Sequence, residues 1–256
     1  MENYRKFLKE LDWEETPDLE TDQQKKVPPP PLQKPSPENT VLIDLIPLED
    51  FTVGEIPLIK AIKQRKSHRN FIKDPLSMEE LSFLLWATQG VHKVHFDYRH
   101  GAKTTKRTVP SGGSRHPFET YLVINRVNGL QPGIYRYLAI EHKLCFLSKI
   151  DSDLPEKISE MCYNQKFVGL GAVVFIWATI PYRTEWRYSI TAHKGIAIDA
   201  GHLCQNLYLA CEAIKAGTCA IAAYNQKEWD SFLGIDGKDE FVMYLAPVGK
   251  LKIQHI

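Results

Sequence analysis

The sequence of 256 residues lacks any apolar run that could cross a membrane. Its longest strongly apolar stretch is Ala172–Ala178, whereas a membrane-spanning helix needs about 20 residues. The polar, acidic N-terminus has no apolar segment typical of a secretory signal. The five cysteines are odd in number and include no Cys-x-x-Cys pair, which favours a reducing compartment. We therefore expect a cytoplasmic protein without a membrane partner.

An excess of charge of either sign is also absent. The chain has 32 Lys and Arg residues against 31 Asp and Glu residues, a formal net charge of +1. The whole molecule therefore has no field that would attract nucleic acid, and we expect no nucleic-acid partner. A local cluster of cations can still bind a phosphate. Hydrophobic residues make up 43% and charged residues 25% of the chain, as in ordinary globular proteins.

Glycine is missing from the first 53 residues, whereas proline is concentrated there. Seven of the 16 prolines precede Asn39, and four are consecutive at Pro28–Pro31. This composition favours extended polyproline structure without a core of its own. We predict an N-terminal extension over residues 1–53, with a short helix at Tyr4–Leu11 and a proline-rich arm, and a folded domain over residues 54–256. The arm either lies over a domain or a partner subunit, or it is an extended linker.

Turn residues and caps divide the chain beyond Gly54 into helices and strands. The capping box Ser77–Glu80 begins a helix that Gly90 ends, and Asn225–Glu228 begins another that Gly234 ends. Because helices and strands alternate without a Greek-key rhythm, the fold class is α+β or α/β. The other predicted elements are helices at residues 58–64 and 154–163, strands at 121–124, 133–137, 143–147, 173–179 and 241–245, and a loop at 91–107.

The longest predicted helix covers residues 194–216 and ends at Gly217. Its apolar residues recur at steps of three and four, and few charges interrupt them. A face this wide belongs either to the centre of a large core or to a subunit interface. We predict an obligate homodimer with this helix at its centre and Leu207 in the middle of the apolar stripe.

Two polar segments are candidates for binding an anionic ligand. In an extended segment Arg65, Ser67 and Arg69 point to one side, and guanidinium groups match phosphate oxygens. The alternative for this segment is a solvated basic surface. In the segment 110–117, two glycines let backbone amides approach a flat ligand. It lacks the Lys-Ser/Thr pair of a phosphate loop and the pattern of a serine hydrolase, and its alternative is a tight loop leading to a strand.

Two further segments are weaker candidates. The small residues of Gly217–Tyr224 are suited to a backbone-lined slot for a planar ring, or they simply pack as a strand. In Trp186–Tyr188, Tyr188 can exchange a proton whereas Arg187 cannot, although the segment could equally be a surface loop. The three histidines of residues 91–107 have no acidic or cysteine partner at metal-ligand spacing, so no metal site is predicted. Gly169–Gly171 precedes a strand, so the Rossmann fingerprint is absent.

Taken in order, these motifs resemble the nitroreductase superfamily of FMN-dependent oxidoreductases. The resemblance rests on Arg-x-Ser-x-Arg, on Pro-Ser-Gly-Gly before a strand, on Gly133–Tyr137 and on the segment Ala200–Tyr224. It covers about residues 55–250, and the SagB/ThcOx-type dehydrogenases are the most similar branch. The resemblance implies an α+β fold with a central, mainly antiparallel sheet flanked by helices. It also implies a homodimer with FMN at the subunit interface.

The resemblance assigns roles to individual residues. Arg65 and Ser67 would hold the FMN phosphate, with Lys250 as an additional contact, and Arg69 would stabilise negative charge at N1 and O2 of the reduced ring. The remaining assigned residues approach the ring: Ser111, Gly112, Gly113 and Ser114 from the other subunit, and Ala220, Ile221, Ala222 and Ala223 through their backbone, with one N–H at flavin N5.

The implied activity is hydride transfer through flavin N5 in a ping-pong cycle, with NAD(P)H as a possible reductant and a small-molecule or peptide-derived substrate. Azole-forming members use a Lys-Tyr pair, and Arg187-Tyr188 stands at the matching place. Tyr188 is therefore the only acid or base expected there, which puts azoline oxidation in doubt. Three alternatives stay open: a non-catalytic flavin- or peptide-binding subunit of a peptide-modifying complex, an azoline dehydrogenase in such a complex, and a hydrolase using Ser111 or Ser114.

Overall fold

The computed structural model describes Arg5 and residues 7–9, 19–150 and 154–252. In chain order its elements are β1 (Leu42–Asp44), α1 (Leu58–Gln64), α2 (Met78–Gln89), β2 (Val91–Asp97), β3 (Ala102–Arg107), β4 (Phe118–Ile124), β5 (Gly133–Leu138), β6 (Lys143–Lys149), α3 (Leu154–Met161), α4 (Lys166–Gly169), β7 (Val173–Thr179), α5 (Tyr182–Tyr188), α6 (Ala192–Ala213), β8 (Ala216–Thr218), α7 (Gln226–Leu233) and β9 (Phe241–Lys250). Seven strands form one antiparallel sheet in the order β1-β6-β5-β4-β7-β9-β8, and β2 and β3 form a separate hairpin.

The sheet is covered by helices on both faces, which accounts for its fully buried central strands β4 and β7. Alternate residues of a strand point to opposite faces. Leu122 faces one apolar cluster with α2 and α6, whereas Tyr121 and Val123 face a second cluster with α3, α4 and α7. This antiparallel sheet between helices confirms the α+β expectation.

The capped helices begin and end as predicted. The Ser77 hydroxyl accepts the Glu80 N–H at 3.0 Å, and the Glu80 carboxylate accepts the Ser77 N–H at 2.9 Å, which completes the capping box of α2. The Asn225 side chain accepts the N–H of Glu228 at the start of α7. This helix ends at Gly234, whose φ of 68° lies in the left-handed region that favours glycine.

Three predictions of secondary structure differ from the structure, one in the type of element and two in where an element ends. Residues 91–107 form the hairpin β2–β3 instead of a loop. The prediction failed because most of these residues are polar, although Ala102 and Thr104 are buried in the period-two pattern of a strand. The last strand continues past Leu245 to Lys250, since Val248 and its neighbours are buried beside β7 and β8. The long helix ends at Ala213, because residues 216–218 pair with β9 as strand β8.

The placement of Leu207 corrects the interface prediction. Leu207 is 0% exposed within the single chain and packs in the cluster between α6 and the sheet. The apolar stripe of α6 therefore belongs mainly to the core of this chain. A charged substitution at Leu207 would disrupt folding before it could report on a dimer.

From residue 19 onward, the N-terminal extension lies against the domain of the same chain. Strand β1 pairs with β6, Trp186 Nε1 donates to the Val27 carbonyl at 2.8 Å, and Arg136 Nη2 donates to the Pro35 carbonyl at 2.7 Å. The backbone N–H of Lys34 donates at 2.8 Å to Glu119, which forms a buried ion pair with Arg183. The predicted helix at residues 4–11 lies largely outside the described residues, and the division at residue 53 stays a prediction.

The described helices include none long and apolar enough to cross a membrane. Within the same residues, no group of three or more His, Cys, Asp or Glu side chains is arranged to hold a metal ion.

Candidate functional site

Helix α6 anchors the two main groups of candidate residues. Asp199 and Tyr208 are two of the polar side chains on this helix. They are nine residues apart, which corresponds to about 13 Å along a helix axis. Each contacts a different candidate segment, so α6 fixes the relative positions of these segments within one chain.

Tyr208 brings together the first and third candidate segments. Its hydroxyl lies 3.0 Å from Ser67 Oγ and accepts the backbone N–H of Ala220 at 2.9 Å. The Arg65 guanidinium lies 5.4 Å from the centroid of the Tyr208 ring, within the range of a cation–π contact. Arg65, Ser67 and the segment beginning at Ala220 therefore meet at one side chain.

Backbone contacts hold the Arg65–Arg69 segment extended beside strand β8. Arg65 ends α1, and its N–H still donates to Ala61 O at 2.9 Å. Further along the segment, the His68 N–H donates to Thr218 O on β8 at 2.9 Å. A Cβ on Gly217 would lie 2.6 Å from the Cβ of His68, so the close approach of the two segments requires glycine at this position.

The surface around this segment is positively charged. Among the described residues, no carboxylate forms a direct ion pair with Arg65 or Arg69. The nearby carboxylate is that of Glu212 on α6, whose pKa burial raises, while a hydrogen bond from the Lys66 N–H and the charge of Arg65 oppose the shift. The Arg69 guanidinium instead lies 5.8 Å from the Phe167 ring centroid. Burial lowers the pKa of His68, and the charges of Lys66 and Arg65 lower it further. Cations without carboxylate partners are suited to an anionic ligand.

The segment Ala220–Ala223 has two backbone donors already in use. The Ala220 N–H donates to Tyr208, and the Ile221 N–H donates to Leu245 O at 2.7 Å. Ala222 and Ala223 are exposed, and their N–H groups find no acceptor in the described part of the chain. These two amides are therefore free to donate to a ligand.

Asp199 holds the second candidate segment. Ser111 Oγ donates to Asp199 Oδ2 at 2.5 Å, and the Gly112 N–H donates to Asp199 Oδ1 at 3.3 Å. The His116 N–H donates to Ser111 Oγ at 2.9 Å. Burial raises the pKa of Asp199, while the bonds from Ser111 and Gly112 oppose the shift. No histidine ring among the described residues hydrogen-bonds to Ser111 or Ser114, which argues against the hydrolase alternative.

The loop held by Asp199 is strained and packs against α5. Gly113, Ser114 and His116 have φ values of 57°, 54° and 47°, and non-glycine residues in this region store backbone strain that is frequent at functional sites. A Cβ on Gly113 would lie 2.5 Å from the Tyr188 hydroxyl and 3.1 Å from Arg187 Nη1. The loop and Tyr188 are thus direct neighbours.

The Arg187 guanidinium is held by two hydrogen bonds and a stacking contact. It donates to Gly113 O at 3.4 Å and to His100 Nε2 at 2.8 Å, and it stacks on the Tyr188 ring at 5.4 Å. Because a guanidinium only donates, His100 accepts through Nε2 and donates through Nδ1 to Asp97 Oδ2 at 2.6 Å. The hydrogen bond from His100 lowers the pKa of Asp97. Segment 186–188 belongs to helix α5 and is not a surface loop.

Lys250 is separate from both groups. Its ammonium forms an ion pair with Glu80 and donates to Ile214 O at 3.2 Å, so its charge is already compensated. A contact between Lys250 and a phosphate stays a prediction. Sequence reasoning missed Tyr208 and Asp199, for which the only signal was a polar side chain interrupting an apolar helical stripe.

A sequence model of the nitroreductase family matches residues 62–250. A candidate nitroreductase of Methanocaldococcus jannaschii is 29% identical over 198 residues, covering 77% of this chain and 93% of that protein. The trifolitoxin-processing protein TfxB of Rhizobium leguminosarum bv. trifolii is 27% identical over 113 residues, which cover 43% of this chain and 30% of that protein.

Solved structures share the fold. A candidate nitroreductase from Ralstonia eutropha has a TM-score of 0.66 at 24% identity, covering 89% of this chain and 100% of that chain. The Escherichia coli microcin synthetase McbBCD complex with truncated pro-MccB17 has a TM-score of 0.59 at 16% identity, covering 82% and 84%. The NADPH:FMN oxidoreductase of Vibrio harveyi in complex with NAD⁺ has a TM-score of 0.52 at 16% identity, covering 77% and 72%. Since the family match spans well over half of the sequence, this chain belongs to the nitroreductase family.

Proposed function

We propose that this chain is an FMN-dependent oxidoreductase, a dehydrogenase of the SagB/ThcOx type. The observation that carries the proposal is the meeting of Arg65, Ser67 and Ala220 at Tyr208. This arrangement places the cationic segment that begins at Arg65 beside the exposed backbone that begins at Ala220. A phosphorylated planar cofactor needs both, the first for its phosphate and the second for its ring. Family membership makes an oxidoreductase the expected class of enzyme.

The residues present fit FMN in charge and in donor capacity. Arg65 forms no direct ion pair among the described residues, although the Glu212 carboxylate is near it. Ser67 is exposed beside it, so both are available to a phosphate. The free N–H groups of Ala222 and Ala223 are available to the ring, and Arg69 supplies positive charge that favours a reduced, anionic ring. When bound, FMN would supply N5 as the hydride acceptor and donor of a ping-pong cycle, with NAD(P)H or a peptide-derived compound as the donor.

Tyr188 is the proposed acid or base. It lies beside Gly113 in the loop assigned to the ring, and its neighbour Arg187 is occupied by His100 and Gly113. Because Arg187 cannot release its proton under ordinary conditions, Tyr188 is the group of this pair that can hold or move one. We place this chemistry in the cytoplasm, where five buried cysteines would stay unpaired.

A homodimer is part of the same proposal. On one chain, the residues that bind the Ser111–Ser114 loop and the Arg65 segment are about 13 Å apart along α6, and the resemblance assigns this loop to the site of the partner subunit. Helix α1 leaves Leu58, Ile59 and Ile62 65%, 78% and 58% exposed, beside a groove of about 370 Å³ between α1, α2 and α6. Exposed apolar surface of this kind favours an interface, and we place the dimer contact here instead of at Leu207.

The first test is flavin uptake and assembly of the purified full-length chain. We expect a yellow dimer that releases FMN on denaturation. The double variant Ile59→Lys/Ile62→Lys should sediment as a monomer of 29.3 kDa and lose FMN, whereas Ile140→Lys, which is on the β5–β6 turn, should retain both. A colourless wild type that takes up no added FMN would refute the proposal, and a monomer that holds FMN would refute the shared site.

A second candidate function is a flavin- or peptide-binding subunit of a peptide-modifying complex, either without catalysis or as its azoline dehydrogenase. The fold shared with the microcin synthetase complex and the similarity to a trifolitoxin-processing protein favour this candidate. Turnover distinguishes the alternatives. If reduced flavin on the isolated chain is rapidly reoxidised by an electron acceptor, the chain acts as an enzyme by itself; if it is not, the binding subunit is favoured.

A further inference from the structure

We infer that Tyr208 is a positioning residue that couples the phosphate end of the proposed FMN site to its ring end. The inference rests on the proposed function, because it names a role for a residue within that site. Tyr208 is partly buried on α6, and its side chain contacts three segments that are far apart in sequence.

The hydrogen-bond directions at the Tyr208 hydroxyl follow from its partners. The Ala220 N–H can only donate, so the phenolic oxygen accepts it at 2.9 Å. The single phenolic hydrogen is then available to Ser67 Oγ, 3.0 Å away. If Tyr208 donates to Ser67, the Ser67 hydroxyl keeps its own hydrogen for another acceptor. Tyr208 would thus orient Ser67 as a donor to a phosphate oxygen.

The Tyr208 ring holds the Arg65 charge without neutralising it. The Arg65 guanidinium lies over the ring at 5.4 Å and makes no direct ion pair among the described residues. Glu212, one turn along α6, interacts with Arg65 only from beyond ion-pair distance. A carboxylate in the position of the ring would compensate the cation and compete with an anionic ligand. A cation–π contact restrains the guanidinium but leaves its charge available.

The same hydroxyl fixes the start of the ring-lining segment. Ala220 is attached to Tyr208 and Ile221 to Leu245, so two successive amides are anchored to α6 and β9. The next two amides, of Ala222 and Ala223, are the free ones. Loss of the Tyr208 hydroxyl would release Ala220 and Ser67 together. Their segments would then be held through the His68–Thr218 bond and the bond from the Lys66 N–H to Glu212.

The test compares FMN with riboflavin, which has the same ring and lacks the phosphate. Tyr208→Phe keeps the ring beneath Arg65 and removes only the hydroxyl. We expect the affinity of the full-length protein for FMN to fall about tenfold and that for riboflavin about threefold, since the variant loses one hydrogen bond at each end of the site and only FMN uses both ends. Flavin fluorescence titration measures both constants. As a control, Tyr135→Phe removes a hydroxyl on β5 that donates to Gln131 O, and it should change neither constant.

A double-mutant cycle adds a readout that general destabilisation would not move. Ser67→Ala should weaken FMN binding in the wild type and have little further effect in Tyr208→Phe, because Ser67 is no longer oriented there. Equal losses for FMN and riboflavin, or additive effects of the two substitutions, would overturn the inference. If Tyr208→Phe does not fold, Ser67→Ala decides: a loss for FMN alone supports the inference, and unchanged FMN affinity overturns it. A wild type that binds neither flavin would instead remove the proposed function on which the inference rests.

Discussion

Acid should destabilise this protein through His116, which follows the loop held by Asp199. His116 is 5% exposed. Burial, together with the positive charge of Arg107, lowers its pKa to about 3, although a hydrogen bond to the backbone of Thr105 opposes the shift. In the unfolded chain, a histidine titrates near 6.5. Between these two values the unfolded state binds a proton that the folded state does not bind.

The sign and size of the effect follow from this difference. Stability is fully present above the unfolded pKa and falls as pH decreases from about 6.5 to about 3, where the loss levels off. The full loss amounts to about 4 to 5 kcal/mol, and the part between pH 6 and pH 4 to about 2.5 kcal/mol. Protonation of the folded chain would place a cation beside Arg107, Arg115 and Arg183 with no room for solvent.

The assay compares wild type with His116→Asn by urea unfolding at a fixed protein concentration. Asparagine does not titrate, and it tolerates the left-handed backbone that residue 116 adopts at φ 47°. From pH 6 to pH 4, the unfolding free energy of the wild type should fall by about 2.5 kcal/mol more than that of His116→Asn. His92→Asn, at an exposed position, controls for the loss of any histidine. Parallel curves for wild type and His116→Asn would refute the reasoning, because carboxylates contribute equally to both.

Two further substitutions test the packing around the candidate site and under the arm. Gly113→Ala should lower the unfolding free energy by about 1–2 kcal/mol, since its Cβ would lie 2.5 Å from the Tyr188 hydroxyl. Gly112→Ala meets no atom within 4 Å and should leave stability nearly unchanged. Thermal denaturation compares the two variants, and equal effects would contradict the geometry. Trp186→Phe loses the bond to Val27 O and should cost about 1 kcal/mol and speed tryptic cleavage in the proline-rich arm, while unchanged cleavage would show that this bond does not hold the arm.

Local signals in the sequence were sufficient for elements whose causes are local. The side chains of Ser77 and Asn225 cap their helices through residues three positions away, so a short window contains all the needed information. The apolar run at β7 was equally clear, because a strand covered on both faces needs no polar alternation. The hairpin at 91–107 was missed for the opposite reason, since its strands are mostly polar and its pairing depends on the partner strand.

The candidate site depends on contacts that no local pattern contains. Ser67 and Tyr208 are 141 residues apart, and Ser111 and Asp199 are 88 residues apart. Family resemblance assigns roles to the loop residues because their order and spacing are distinctive, and these roles stay predictions. It gave no role to Tyr208 or Asp199. Their hydrogen bonds to the two segments form only when α6 packs against the sheet.

Helix α6 therefore limits how an active site can be assembled from this chain. Its apolar face, including Leu207, packs in the core. Two of its polar side chains, Asp199 and Tyr208, bind two loops at different positions along the helix axis. Neither loop can move toward the other without breaking hydrogen bonds to a helix that is fixed by the sheet. If the proposed flavin site takes the second loop from another copy of the chain, the exposed side chains of Ile59 and Ile62 are apolar surface that such a copy would cover.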